Sequence, residues 1–285
     1  TYISPKKIRK CVDEFQKYIL KKEQKLDDFI PDDKYMNHWF FKKNTQQLAN
    51  VRKFVEKQSD DKDLLNLLKV GLASIIRNVS RASKGMGRMF LDPALKEVDV
   101  YESYSKKILK FSETMENWES KKKKQKVYLR NAMDLKIKND SVGFVICHPP
   151  YYNLYKYSSI FKFEMLWSGV NYYETKKDEV FEGFKLGNAE KVNMYCNDMN
   201  KILEEISRVM KKRRYCILMM GDAAIKGKRV NTTSLLLKNQ KKFDVEKIIV
   251  RIPKYTEASY AATQRRNKEN VGVNIPDHLV VLKKK

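Results

Sequence analysis

Histidine and cysteine are scarce in this chain. Only His38, His148 and His278, and Cys11, Cys147, Cys196 and Cys216, occur among 285 residues. No two cysteines stand in a CxxC pair, so the spacing argues against a structural zinc site, and no metal is expected. The thiols read as free, as in a reducing compartment. Long apolar runs are missing too: none nears the ~20 residues of a membrane span. No secretory signal is visible, and the expected location is the cytoplasm, or the nucleus in a eukaryotic source. The chain opens on Thr1 and not on Met, and a processed, trimmed or partial product is the expectation. Acidic residues are few, 35 against 59 Lys plus Arg, which leaves +24 at pH 7. That exceeds what solubility requires and favours a polyanion, usually nucleic acid. The bland alternative is a lysine-rich proteome that places Lys on ordinary solvated faces.

The first part of the chain has helical periodicity. Ser4 and Pro5 form a cap and first turn ahead of Ile8, Val12, Phe15 and Ile19. Asn44 could cap a second helix carrying Leu48, Val51 and Phe54. A third, from about Asp63, carries Leu64, Leu68, Leu72, Ile75 and Val79 on one face, and a fourth carries Tyr104, Ile108, Phe111, Met115 and Trp118. These stripes read as core. The run Lys121 to Lys124 reads as a solvated hinge, and the texture changes after it. Short β-rich runs at 127–129, 142–147, 215–220, 245–251 and 279–282 alternate with helical patterns, notably Tyr195, Met199, Ile202, Ile206 and Val209. The expected fold is therefore α/β: a mostly parallel sheet with helices on both faces across 127–285, preceded by a helical region, 1–126. The polar segment 252–277 is long for a plain connection and suggests a functional loop.

The chemistry concentrates where Val142-Gly143-Phe144-Val145-Ile146 runs into Cys147-His148-Pro149-Pro150-Tyr151. Consecutive prolines have fixed φ and no N–H, so the turn is stiff and its carbonyls must find donors elsewhere. Tyr151 offers a ring face on which a base can stack. Ligands of open α/β sheets sit beyond the carboxyl ends of the strands. His148 to Tyr151 would lie at such an end, as would Asn131-Ala132 and Gly221-Asp222, so three separate loops converge on one crevice.

This pattern resembles the amino-group DNA methyltransferases, whose catalytic motif is Asp, Asn or Ser before Pro-Pro-Tyr or Pro-Pro-Trp. Asn131-Ala132-Met133-Asp134-Leu135, Asp140-Ser141-Val142 and His148 to Tyr151 with Tyr152-Asn153 follow that family in order and spacing. Gly221-Asp222 with Ile225, Gly227 and Val230 resembles a later segment, and Asp277-His278-Leu279-Val280-Val281-Leu282 resembles the closing strand. The resemblance covers the chain from about Val127 onward. It implies a Rossmann-like methyltransferase sheet with an α-helical insertion, and S-adenosylmethionine as cofactor. It also implies methyl transfer to the exocyclic amine of adenine or cytosine in DNA, with the target base flipped out. It assigns His148, Pro149, Pro150 and Tyr151 to catalysis, and Asn131, Ala132, Cys147, Gly221 and Asp222 to the cofactor.

Three positions depart from the family. Asn131 stands where an acidic residue is usual, Gly143 where Asp is common, and His148 where Asp, Asn or Ser is expected. In the family that last side chain and the carbonyl of the first proline, here Pro149, accept hydrogen bonds from the target amine. A neutral imidazole has one acceptor nitrogen for this and an imidazolium has none. The glycine-rich loop that cradles the cofactor is missing, since Gly85-Met86-Gly87 follows a helix and reads as a loop. The resemblance implies that at least one ~30-residue βαβ unit lies on an N-terminal segment or a separate subunit. Arg77, Arg81, Lys84 and Arg88 would form one basic stripe for phosphates if the third helix continued that far; Arg265 and Arg266 in the long loop are further candidates. The rival readings are a non-catalytic DNA-binding subunit of a restriction-modification or defence complex, and an RNA methyltransferase.

Overall fold

The computed structural model describes residues 2–21, 25–83, 89–118, 126–152, 157–179, 189–225, 228–251 and 276–285. In chain order the elements are α1 (Pro5–Ile19), α2 (Met36–Trp39), α3 (Lys42–Glu56), α4 (Lys62–Ile76), α5 (Val100–Glu116), β1 (Val142–Cys147), α6 (Tyr157–Ile160), α7 (Lys162–Trp167), α8 (Tyr172–Asp178), α9 (Ala189–Val209), β2 (Met210–Gly221), β3 (Ala223–Ile225), β4 (Lys228–Val230), α10 (Thr232–Asn239), β5 (Phe243–Arg251) and β6 (Asp277–Lys284). They divide into two compact units. One comprises Thr1–Lys126 with Phe161–Lys176, and the other Val127–Ile160 with Lys177–Lys285.

The first unit is helical. Ser4 caps α1 by accepting from Lys7 N, and Pro5 opens the helix; Pro costs nothing there because that N–H has no intrahelical partner anyway. Phe15 of α1 packs edge-on against Tyr104 of α5 at 5.2 Å and tilted against Phe54 of α3 at 5.1 Å. The predicted cap at Asn44 is corrected. Phe41 precedes α3, and Asn44 lies inside the helix, fully buried, donating to Val98 O at 2.8 Å. Gln47 does similar work, bonding Asp99 Oδ2 and accepting from Val100 N. Buried amides thus tie α3 to the start of α5 instead of starting a helix, because a buried polar group must find a partner. The third predicted helix begins on Asp61, which caps Leu64 N, and ends at Ile76. Val79 and the residues after it lie beyond the helix.

The second unit is mixed α/β. Its main sheet has the order β1-β2-β6-β5. β1 and β2 are parallel, and β6 is antiparallel to both β2 and β5. Three strands therefore run one way and the closing strand the other. Cys216, Leu218 and Met220 of β2, with Val280 and Leu282 of β6, pack against Met199, Ile202, Leu203 and Ile206 of α9 and Leu236 of α10. Residues of the alternate parity, Phe144 and Ile146 of β1 beside Tyr215 and Ile217 of β2, face the other way.

Two features differ from expectation. No strand forms at 127–129: Val127 and Leu129 are 97% and 104% exposed. An extended run becomes a strand only with a ladder partner, and none lies beside it among the described residues. β2 also starts earlier than predicted. Val142 pairs with Met210 and Phe144 with Tyr215, so residues 211–214 bulge out opposite Gly143, with Arg213 at φ 57°.

Candidate active site

The Pro-Pro-Tyr corner follows directly from β1. Pro149 is buried, Pro150 half-buried, and His148 exposed beside them. The corner is held from two sides. Tyr195 of α9 donates its hydroxyl to Pro150 O at 2.7 Å, which supplies the outside donor that a diproline turn cannot provide for itself. Burial pushes the Tyr195 hydroxyl pKa well up, so it stays a protonated donor. On the other side the Tyr151 ring lies against Gly221 of β2, and its hydroxyl is hydrogen-bonded to Asp277 of β6. Burial first, and the Asp277 carboxylate second, keep that phenol un-ionised. Arg251 of β5 stands 3.7 Å from Asp277. The His148 and Tyr151 rings meet edge to face at 5.4 Å, 85° apart.

Tyr195 therefore supports the corner, although periodicity alone assigns it to the core. Its hydroxyl is what distinguishes it from an ordinary apolar stripe residue. Tyr195→Phe is expected to destabilise the fold by about 1–2 kcal/mol, the cost of leaving a half-buried carbonyl unpaired. It should also raise hydrogen exchange at residues 151 and 152, which lie next to the corner. Unchanged exchange and melting would show that the bond does not hold the turn.

The Asn131-Ala132 loop is exposed and is built differently. Asn131 Oδ1 accepts from Met133 N at 2.9 Å, a local turn that leaves the amide nitrogen to donate elsewhere. Glu205 of α9 accepts from Leu135 N at 2.8 Å and pairs with Arg208, which in turn donates to Ile137 O. The Arg208 guanidinium, with Leu135 N as a second donor, holds the Glu205 carboxyl down at about 2. An isolated Glu titrates near ~4.3, so this clamp stabilises the fold fully above that value and is lost as pH falls towards 2. The Leu135 amide is expected to lose protection through that window, and Glu205→Ala to lose it already at neutral pH. A Leu135 amide equally protected in both proteins would refute the clamp.

Gly221-Asp222 ends β2, but the Asp222 carboxylate faces inward. It accepts from Thr233 N at 3.3 Å and lies 4.0 Å from His278 Nδ1, which meets Thr233 Oγ1 at 2.9 Å. A cavity of about 230 Å³ lies beside it, lined in part by Asn231, Ser234 and Val250. Cys147 is half-buried and burial raises its thiol pKa, which disfavours a thiolate nucleophile.

The basic stripe does not form on one helix. Arg77 is the residue that caps the end of α4 and lies 3.8 Å from Glu164, itself pushed up by burial. Arg81 lies over the Phe41 ring and donates to His38 O at 3.3 Å. Lys84, Arg88, Arg265 and Arg266 lie outside the described residues, as do Gly85 to Gly87, Lys121 to Lys124, Asn153, Gly227 and nearly all of the 252–277 loop. The exposed run Lys211-Lys212-Arg213-Arg214 sits at the amino end of β2, opposite the diproline corner. Its uninterrupted charge is the signal that marks it in the sequence.

A cofactor of the S-adenosylmethionine type fits these residues only in part. Asn131 could meet a base ring from an exposed loop, yet Asp222 is turned away and no glycine-rich turn is present among the described residues to hold the remainder. Among the described residues no group of three or more His, Cys, Asp or Glu could hold a metal ion, and no helix is long and apolar enough to cross a membrane.

No protein-family model and no curated protein sequence matches this chain. Among solved structures it is similar to the cytosine-N4-specific PvuII DNA methyltransferase, at 10% identity and a TM-score of 0.39 over 55% of this chain and 48% of that one. It is also similar to a Thermus thermophilus protein provisionally described as a DNA modification methylase. The two structures of that protein give 12% and 13% identity and TM-scores of 0.31 and 0.30, over 54% and 55% of this chain and 50% and 52% of theirs. The chain spans about half the length of the solved structures it matches.

Proposed function

We propose that this chain is the catalytic-motif part of a DNA amino-methyltransferase, acting on the exocyclic amine of adenine or cytosine with S-adenosylmethionine as methyl donor. One observation carries the reading: a diproline corner at the carboxyl end of β1, clamped by Tyr195, that exposes His148 beside a half-buried Tyr151. The amine is out of reach inside a duplex, so the base is extruded and stacks on Tyr151. His148, as neutral imidazole, and the Pro149 carbonyl accept hydrogen bonds from the amine and leave its lone pair pointing outward. S-Adenosylmethionine, when bound, supplies an already activated methyl group, so positioning is the main task left to the protein. No ionised cysteine or metal is needed for that task. Residues 1–126 are assigned to target recognition, and the net charge of +24 favours a nucleic-acid substrate.

His148, where the family carries Asp, Asn or Ser, favours one rival, a DNA-binding subunit without chemistry. Incubating the full-length protein purified from its own cells with labelled S-adenosylmethionine, and with DNA or RNA, separates the readings. Label in DNA supports the proposal, label in RNA alone moves the activity to RNA, and DNA binding without label supports the rival.

A further inference from the structure

We propose that the amino end of β2 is a second DNA-contacting surface, where Lys211, Lys212, Arg213 and Arg214 take the phosphate backbone of a duplex without reading its bases. That the polyanion is DNA rests on the methyltransferase reading. That this end of the sheet takes a phosphodiester backbone rests on its own charge and geometry.

The backbone exposes this run. In a regular strand alternate side chains share a face, and in β2 Met210, Cys216, Leu218 and Met220 are the buried ones. By that parity Lys212 and Arg214 would face the core beneath α9. They do not, because residues 211–214 together stand opposite Gly143, and Arg213 takes a left-handed φ of 57°. The ladder resumes at Tyr215, which pairs with Phe144 on one side and Lys283 on the other. All four cations are exposed, and none makes an ion pair or a side-chain hydrogen bond among the described residues. Left-handed backbone is uncommon for a residue with a side chain, and such strain gathers at working surfaces.

The neighbouring chain ends add charge and leave little acid to cancel it. Lys284 of β6 donates to Met210 O at 2.6 Å and to Asp140 at 2.8 Å. The carboxylate that feels Lys212, Asp140, is therefore already engaged. Lys285 N donates to Lys242 O at 3.3 Å, which brings the start of β5 to the same end. Lys241 and Lys242 are exposed there with no ion pair among the described residues. Asp244 and Glu246 are matched by Lys285 and Lys283. None of the segments outside the described residues contains more acidic than basic residues, so none brings an excess of negative charge to the run.

Among polyanions, a phosphate backbone suits this end best. Arg presents a planar fork that matches phosphate oxygens, and Lys a point charge. Elements that lie on membranes add apolar side chains that enter the acyl boundary, and the run has none. Protein interfaces are depleted of Lys. Phosphate contacts hold a duplex in place without specifying its sequence. Residues 214 to 221 span about 23 Å at ~3.3 Å per residue, so the run meets DNA away from the base held at the diproline corner.

Lys212→Gln combined with Arg214→Gln in the full-length protein tests this, by fluorescence anisotropy on a DNA duplex of about 30 base pairs between about 50 and 200 mM salt. Each phosphate contact contributes ~0.9 to the slope of log K against log salt, so the double variant should lose ~1.8. Its affinity at ~0.1 M salt should fall about ten-fold or more. Because both side chains are exposed, its melting temperature should not move. Lys177→Gln combined with Lys247→Gln removes the same charge from exposed positions of the same unit, outside the run, and should leave the slope as it was. Equal slopes in the two variants would overturn the proposal. So would a loss confined to RNA of the same length, to phosphatidylserine vesicles or to polyglutamate. The predicted loss of slope in a protein that transfers no methyl group would leave this surface standing and remove the methyltransferase reading. Methyl transfer with an unchanged slope would do the reverse.

Discussion

His148→Ala is expected to lower single-turnover methyl transfer by on the order of a hundred-fold, as loss of a hydrogen-bond acceptor that positions the reacting amine does, with no loss of fold. The ring is exposed and its one described contact is edge-on to Tyr151, so little packing goes with it. The more diagnostic variant is His148→Asn. An amide oxygen accepts a hydrogen bond as a neutral imidazole nitrogen does, so His148→Asn should keep most of the activity that His148→Ala loses. Equal losses in the two variants would remove His148 from the role proposed for it.

Gly221→Val is expected to be the most damaging substitution at the site that adds no charge. Even a bare β-carbon at 221 would lie 2.8 Å from Tyr151 Cε2 and 3.3 Å from Asp277 Oδ1. Both neighbours are held: the ring by its hydroxyl on Asp277, and Asp277 by the β6 ladder, where it pairs with Gly221 itself. The ring must swing outward and give up its bond to Asp277. Overpacking of this kind costs about 1–3 kcal/mol, and here it displaces the surface on which the base is proposed to stack. Activity should fall by at least as much as in Tyr151→Ala, while the helical unit keeps its stability. Combining Gly221→Ala with Tyr151→Ala should recover the stability lost by the first change alone, because the clash partner is gone. Failure to recover would place the strain elsewhere.

The helices and the strands flanking the corner were legible because their apolar spacing is local information. Phe15, Leu48, Leu68 and Tyr104 recur at helical intervals and are buried, and VGFVIC before two prolines can hardly be other than a strand and its exit. Errors arose where a partner decides the outcome. Asn44 resembles a cap until Val98 O is placed beside it, and residues 127–129 resemble a strand until the absence of a ladder among the described residues is known. The corner itself could be read, but not its supports. Tyr195, Gly221 and Asp277 are separated from it by 45 or more positions, and only the sheet register brings Gly221 and Asp277 together beneath Tyr151. Asp222 shows the opposite failure. A strand-end acid looks available in sequence, yet Thr233 and His278 enclose it.

The most direct measurement is nucleoside analysis of DNA exposed to labelled S-adenosylmethionine and the full-length native protein, wild type beside His148→Ala. The account requires label on the exocyclic nitrogen of adenine or cytosine, and its near-complete loss in the variant. Label on a ring carbon, or equal label from both proteins, would contradict it.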